Sequence, residues 1–331
     1  MVFPMTMNAM ASPLHVSSTE NVHASKNFLA AFLRSLVHPE WMPQGINDWD
    51  TPLDGKIPVV LIHGTWLNSY NTWCRIAPEL ADAGHRVFAF NYGRDTAPVT
   101  GRPRSIYGTK GILEAQPEVA AFIDHVLERT GASQVDLLVH SQGMSQARLY
   151  LSDSGGTNPE DPSRNRVRKV IAITPSHHGT TLCGIGSLGL AIEKRWAGIR
   201  PLIKKLLGDA ALDQLVGSEA MTHINRGGDT LPGVSYTTLC TRFDEIVTPW
   251  QNQFLEAGPG ATVRNVLVQE GAVRDFSDHL AILYSPRVID FILEELDITG
   301  EYRTTNPQVR GTVLPGYGSL PQWKRRRQAQ V

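Results

Sequence analysis

Cysteine is scarce in this sequence. The 331 residues include three, Cys74, Cys183 and Cys240, which close one bridge at most, so no disulfide framework supports the fold. None stands in a CxxC pair, and their wide spacing gives no basis for a zinc site; the reading is of small, buried apolar side chains. An excess of charge is also missing. Thirty-one Lys and Arg face 32 Asp and Glu, a net charge of −1, so no overall field draws the chain to nucleic acid or an anionic membrane. No apolar run approaches the roughly 18 residues of a membrane span. Residues 1–16 lack the basic start and continuous apolar stretch of a signal peptide, and with Met1 at the start the expected location is the cytoplasm. No fixed-period repeat is visible, which excludes solenoids and propellers.

What is present is enough apolar residue for a core, 41%, arranged in short runs. Pro58–Ile62 is wholly apolar and ends at His63-Gly64; comparable runs follow at 86–91, 135–140, 169–174, 234–240 and 263–268. Runs of this length and composition read as strands buried on both faces, the mark of a parallel sheet. Helical patterns lie between them at 72–83, 117–130, 142–151 and 286–296. In the second, Val119, Phe122, Ile123, Val126 and Leu127 share one face, with Pro117 suited to the first turn and Gly131 to the end. Strand alternating with helix predicts an α/β fold, a mostly parallel central sheet flanked by helices. Ligands on such sheets bind beyond the carboxyl ends of the strands.

Two stretches break the alternation: a loop over 93–115 rich in Gly, Pro, Arg and Tyr, and an insertion over 184–233. In the insertion Leu188, Ile192, Trp196, Ile199, Ile203 and Leu206 form a helical stripe, with Pro201 expected to kink it or start a second helix. It reads either as a cap or lid over the strand ends or as a helix pair packed into the main core. The expected organisation is an N-terminal extension (1–56) containing an apolar helical patch at 28–37, a main domain (57–300), and a tail (301–331). The basic run Lys324–Arg327 is read as a solvated terminus, not a nucleic-acid site.

The chemistry concentrates at Val135-Asp-Leu-Leu-Val-His-Ser-Gln-Gly143. A strand enters a tight turn at Ser141 and leaves as a helix, the context that lifts a serine hydroxyl above a sheet as a nucleophile; a bare helix N-cap is the alternative. Gly143 meets the demand for a small residue two positions after the serine. Val139 stands where glycine is expected two positions before it. A base and an orienting acid must accompany the serine. His279 follows the last strand, and Asp244 follows the strand at 234–240, giving the order Ser141, Asp244, His279. Glu245 could compete with Asp244, whereas Asp275 and Asp278 read as loop-capping or solvated carboxylates. The oxyanion hole would use the backbone N–H groups of Gln142 and of Thr65, in the loop His63-Gly64-Thr65-Trp66. His63 reads as a brace for that loop, and Gly64, Trp66 and Gly143 as supporting or substrate-facing positions. His177 and His178, adjacent on a presumed strand, should point to opposite faces; without a third ligand, no metal is expected.

The stretches Gly45–Trp49, Val59–Thr65, Arg86–Gly93, Val139–Gly143, Thr174–Thr181, Tyr236–Pro249 and Ser277–Ser285, in that order, resemble the class 2 lipases and esterases of actinobacterial and bacillar type in the α/β-hydrolase superfamily. The resemblance spans roughly residues 45–296. It implies an α/β-hydrolase fold and ester hydrolysis through Ser141, Asp244 and His279 with no cofactor. Small lipases of this kind carry Gly or Ala at position 139 and Gly at position 144, where this chain has Val139 and Met144. Exported relatives tend to pair cysteines near positions held here by Thr51 and Arg86, which agrees with a reducing compartment. The expected partner is a small-molecule ester or lipid substrate, with transient contact to lipid interfaces and none to nucleic acid. Acyl transfer by the same triad, or ligand binding without catalysis, are the alternative outcomes.

Overall fold

Six short strands assemble side by side; the inner ones are almost wholly buried, whereas the run expected to be buried at 263–268 lies at the sheet edge, largely exposed, with Arg264 and Asn265 in it. The computed structural model describes residues 24–181, 199–297 and 312–320. Its sheet comprises β1 (Val59–Ile62), β2 (Val87–Ala89), β3 (Val135–His140), β4 (Val167–Ile173), β5 (Ser235–Cys240) and β6 (Thr262–Leu267). The spatial order is β2-β1-β3-β4-β5-β6, and every neighbouring pair is parallel. Alternate residues of each strand serve opposite faces. Val59 and Leu61 of β1 join the apolar layer that includes Trp73, Ile76 and Ile292. Val60 and Ile62 join the layer that includes Val119, Ile123 and Tyr150.

Helices supply those layers. α1 (Phe28–Val37), α2 (Ser69–Trp73), α3 (Ile76–Asp82) and α9 (Pro286–Leu296) cover one face, and α4 (Ile112–Thr130) and α5 (Gly143–Asp153) the other. The chain leaves β1 toward β2 on one side and returns to β3 on the other. The crevice between the ends of β1 and β3 is therefore the topological switch point, where α/β sheets bind ligands. Among the described residues no helix is long and apolar enough to cross a membrane.

Several elements differ from the sequence pattern. The helix expected at 72–83 is two helices, because Asn68 and Asn71 form a reciprocal capping box that starts α2 at Ser69; the chain then turns at Cys74-Arg75 before α3. α4 begins at Ile112 rather than near Pro117, so Pro117 sits inside the helix. Its early start is held by a tertiary cap: the Ile112 N–H donates to Asp213 Oδ2 at 2.7 Å, a carboxylate well placed for the helix dipole. β2 ends at Ala89 because Phe90 and Asn91 turn aside. The Phe90 carbonyl accepts from Ser69 Oγ and the Asn91 side chain from the Ser69 N–H.

In the insertion α6 (Ile199–Leu207), α7 (Asp209–Asp213) and α8 (Glu219–Asn225) are helical. Pro201, Ile203 and Leu206 lie on α6, while Leu188, Ile192, Trp196 and Cys183 lie outside the described residues, as does the basic run 324–327. Cys74 and Cys240 are buried free thiols, and burial pushes the Cys240 thiol up to about 12. The apolar patch at 28–37 is α1, capped by Asn27, whose side chain accepts from the Ala30 N–H. Phe28 and Ala31 belong to the core of the sheet domain. Near the other end of the chain a hairpin, β7 (Val313–Leu314) and β8 (Gly318–Ser319), pairs antiparallel and docks on α1, where the Phe28 N–H donates to the Tyr317 carbonyl at 2.7 Å.

The strand that leads to Ser141 carries one buried charge. Asp136 on β3 is almost wholly enclosed and accepts two hydrogen bonds from Arg168, one from Nε at 2.9 Å and one from Nη2. Burial pushes its carboxyl upward while the guanidinium pulls it back. Arg168→Met should strand that carboxylate and cost about 3 kcal/mol of stability, read as a lower urea midpoint at neutral pH. An unchanged midpoint would refute the account.

Candidate active site

The β3–α5 turn determines where the serine sits. β3 ends at His140, α5 opens at Gly143 with Gln142 as its cap, and Ser141 between them has φ +53°. The left-handed region costs a non-glycine residue about 1–2 kcal/mol, here held by bonds on both sides of the turn. The Ser141 N–H donates to the Ile173 carbonyl at 3.0 Å, and the Ser141 carbonyl accepts from the Met144 N–H at 3.0 Å. Gly143 is required because a Cβ there would collide with the Ile62 carbonyl oxygen. Val139 and Met144, bulkier than the resemblance leads one to expect, are both fully buried in the layer beneath α4 and α5. Val139 stands in register between Ile62 and Ala172, so its side chain is absorbed by the core.

His279 and Asp244 meet beyond β5 and β6. His279 Nδ1 donates to Asp244 Oδ2 at 2.8 Å. That carboxylate is itself fixed: Oδ1 accepts from the N–H groups of Ile246 (2.9 Å) and Val247 (2.7 Å), and Oδ2 also accepts from Gln253 Nε2 (3.0 Å). With Nδ1 bound to the acid, Nε2 is the nitrogen able to take a proton. Burial alone would push the imidazole down, but the Asp244 charge and hydrogen bond, with Glu245 and Asp278 farther off, outweigh it and raise His279 above the ordinary histidine value. Glu245 does not take the acid's place; its Oε2 accepts from the His279 backbone N–H at 3.4 Å. Asp275 accepts from the Ser277 N–H (3.0 Å) and Ser285 Oγ (2.9 Å), and Asp278 from the N–H groups of Leu280 (3.1 Å) and Ala281 (2.7 Å). Both are loop-capping carboxylates.

The loop after β1 runs beside the serine. A Cβ on Gly64 would approach His140 Nδ1 to 2.8 Å and Ser141 Cβ to 3.0 Å, so the backbone passes as close as glycine permits. Among the described residues no protein acceptor takes the N–H of Thr65 or of Gln142. His63 is buried; its Nδ1 donates to the Gly64 carbonyl at 2.8 Å and its Nε2 accepts from the Tyr92 N–H at 3.4 Å. Burial holds it at about 4, so it is a neutral brace. Trp66, at φ +58°, donates from Nε1 to the Leu207 carbonyl at 3.0 Å.

Three contributors escape the sequence pattern. Gln214 of the insertion donates from Nε2 to Thr65 Oγ1 at 2.8 Å and accepts from Ser176 Oγ at 2.9 Å; nothing in the helical pattern of the insertion marks such a glutamine. Gly108, at φ +64°, lies so close that a Cβ would reach the Gly64 carbonyl at 2.8 Å; the glycine-rich loop at 93–115 is its signal. His140 donates from Nε2 to the His279 carbonyl at 3.1 Å, while its Nδ1 is buried without a partner among the described residues. His177 and His178 depart from expectation in geometry: they lie on a turn, not a strand, and their rings pack edge to face at 4.3 Å. His178 Nε2 donates to Asp229 at 2.7 Å. Among the described residues no group of three or more His, Cys, Asp or Glu is placed to hold a metal.

Ser141, His140, His279, Thr65, Trp66 and Gln214 border one cavity of about 640 Å³, with Ile106, Val247, Leu280 and three residues of α1. Sheet order, switch-point crevice and the serine turn together define an α/β-hydrolase fold. The chain is similar over residues 57–184 to the family described as alpha/beta hydrolase fold. Aspergillus fumigatus lipase B superposes with a TM-score of 0.58 at 21% identity, over 81% of this chain and 58% of that one. The propeptide form of Bacillus licheniformis lipase BlEst2 gives 0.50 at 19% identity, over 75% and 52%. The chain thus matches little more than half the length of either.

Because Asp244 raises His279, the stabilisation from that pair is fully present below the unfolded histidine value and is lost as pH rises through the higher folded one. Asp244→Asn should lower the His279 midpoint in an NMR titration of its ring protons; a midpoint that stays put would show that Asp244 does not set it.

Proposed function

We propose that the protein is a serine carboxylesterase or lipase that cleaves acyl esters through an acyl-enzyme on Ser141. One observation carries the reading: Ser141, on a left-handed strand-to-helix turn, borders the same largely apolar cavity as a histidine whose far nitrogen is bonded to a fixed carboxylate. In this mechanism Ser141 Oγ attacks the ester carbonyl as His279 Nε2 takes its proton, and Asp244 holds the ring and stabilises its cation. The N–H groups of Thr65 and Gln142 receive the developing oxyanion. The intermediate collapses, the C–O bond to the alcohol breaks, and His279 returns the proton to that leaving oxygen. A water, deprotonated by His279, then attacks the acyl-enzyme and releases the carboxylic acid and free Ser141.

The substrate is a lipid or another uncharged ester, a choice supported by the absence of Asp, Glu, Lys and Arg among the described residues of the lining. The insertion acts as a cap, supported by the Trp66–Leu207 and Thr65–Gln214 bonds that tie it to the oxyanion loop. Contact with lipid surfaces is supported by the exposed Leu29, Leu33 and Val37 on α1 and Leu202 and Leu206 on α6. The class 2 lipase and esterase family is the subgroup we assign.

A fluorophosphonate probe should label the wild type and spare Ser141→Ala, and hydrolysis of nitrophenyl esters should fall about ten-thousand-fold or more in that variant. Equal labelling of the variant would sink the proposal.

A further inference from the structure

We infer that α1, outside the hydrolase sheet, forms the wall along which the acyl chain lies, and that Phe32 and Leu36 set the chain length accepted. This rests on Ser141 being the acylated residue. Phe28, Phe32 and Leu36 all border the cavity that holds Ser141 and His279. Their spacing of four places them on one stripe of the helix. Eight residues of helix rise about 12 Å, the scale of a medium acyl chain and far beyond an acetyl group.

Burial along the stripe has a direction. Phe28 is 7% exposed and Leu36 is 43% exposed, so the stripe runs from the interior of the cavity to its rim. The wall is also fixed in place. Ser35 Oγ accepts from Asn71 Nδ2 of α2 at 3.2 Å, and the Phe28 ring meets Tyr284 edge to face at 6.2 Å. Below that contact Tyr284 Oη donates to the Asn71 carbonyl at 2.6 Å. A helix tied at these points cannot swing aside to admit a longer chain, so its side chains determine how many methylenes find apolar contact. Each buried methylene is worth about a fourfold gain in binding.

The test has two independent readouts. The first is the ratio of kcat/KM for nitrophenyl decanoate to that for the acetate; Leu36→Trp should lower it at least tenfold, and Phe32→Ala should move the optimum to longer esters. The second needs no catalysis: calorimetric binding of decanoate to Ser141→Ala, which Leu36→Trp in the same background should weaken at least tenfold. A ratio and an affinity that do not respond to these substitutions overturn the inference. A uniform loss at every chain length does the same, since it marks a structural effect. If the wild type hydrolyses no ester yet decanoate binding depends on Leu36, the catalytic reading fails and the wall stands; if binding is also insensitive, both fail.

Discussion

The close approach of the β1 and β3 ends is the constraint on which the site depends. Ser141 can stand above the sheet only if the chain reverses from strand to helix within two residues, and that reversal brings Gly143 against the Ile62 carbonyl. The loop leaving Ile62 then has no room for a side chain at Gly64, and Gly108 closes on the same loop from a third direction. Three glycines far apart in sequence thus answer one steric problem. At the cost of about 1–2 kcal/mol of strain at Ser141, the serine turn and the loop after β1 are held against each other as closely as glycine permits.

Electrostatics then separates three buried imidazoles. His63 and His140 see carbonyl groups and each other's neighbourhood, without a carboxylate bound to the ring, and burial drives both below the ordinary value. His279 is equally enclosed, yet it faces Asp244 at 2.8 Å and is raised. The charge of His279 also pushes His140 farther down, its largest influence after burial. Of the three rings, the charged form is therefore favoured on the one that faces the fixed carboxylate. Four hydrogen bonds, one of them from that ring, hold the Asp244 carboxylate in place.

Much of this was legible in the sequence because it rests on local pattern. Apolar runs of four to seven residues between turn signals read as strands, and the residues that follow parallel strands lie at one edge of the sheet; hence Ser141, Asp244 and His279 could be named from position. What escaped was tertiary. No local signal starts α4 at Ile112, since its cap is Asp213 from a helix a hundred residues later. Gln214 is one glutamine among many until the fold brings it to Thr65. Val139 looked like a defect in the turn, but the pleat directs it into the layer under α4 and α5, where bulk is an asset. The hairpin at 313–319 is too short to stand out and exists because α1 and the Asp278 loop bind it; the Gly316 N–H donates to Asp278.

That hairpin exposes how far the site extends beyond the sheet. Asp278 adjoins His279, and its carboxylate holds two N–H groups of its own loop with one oxygen and the hairpin with the other. The hairpin in turn anchors Phe28, the inner end of α1. Segments before the first strand and after the last helix are thus linked through one carboxylate to the loop of His279. An apolar helix such as α1 would gain little by lying on the surface alone; its stability comes from Tyr284, Asn71 and the hairpin together. The contacts that fold it onto the domain are therefore the same ones that close one side of the cavity, so the shape of the site and the docking of α1 and the hairpin are a single packing problem.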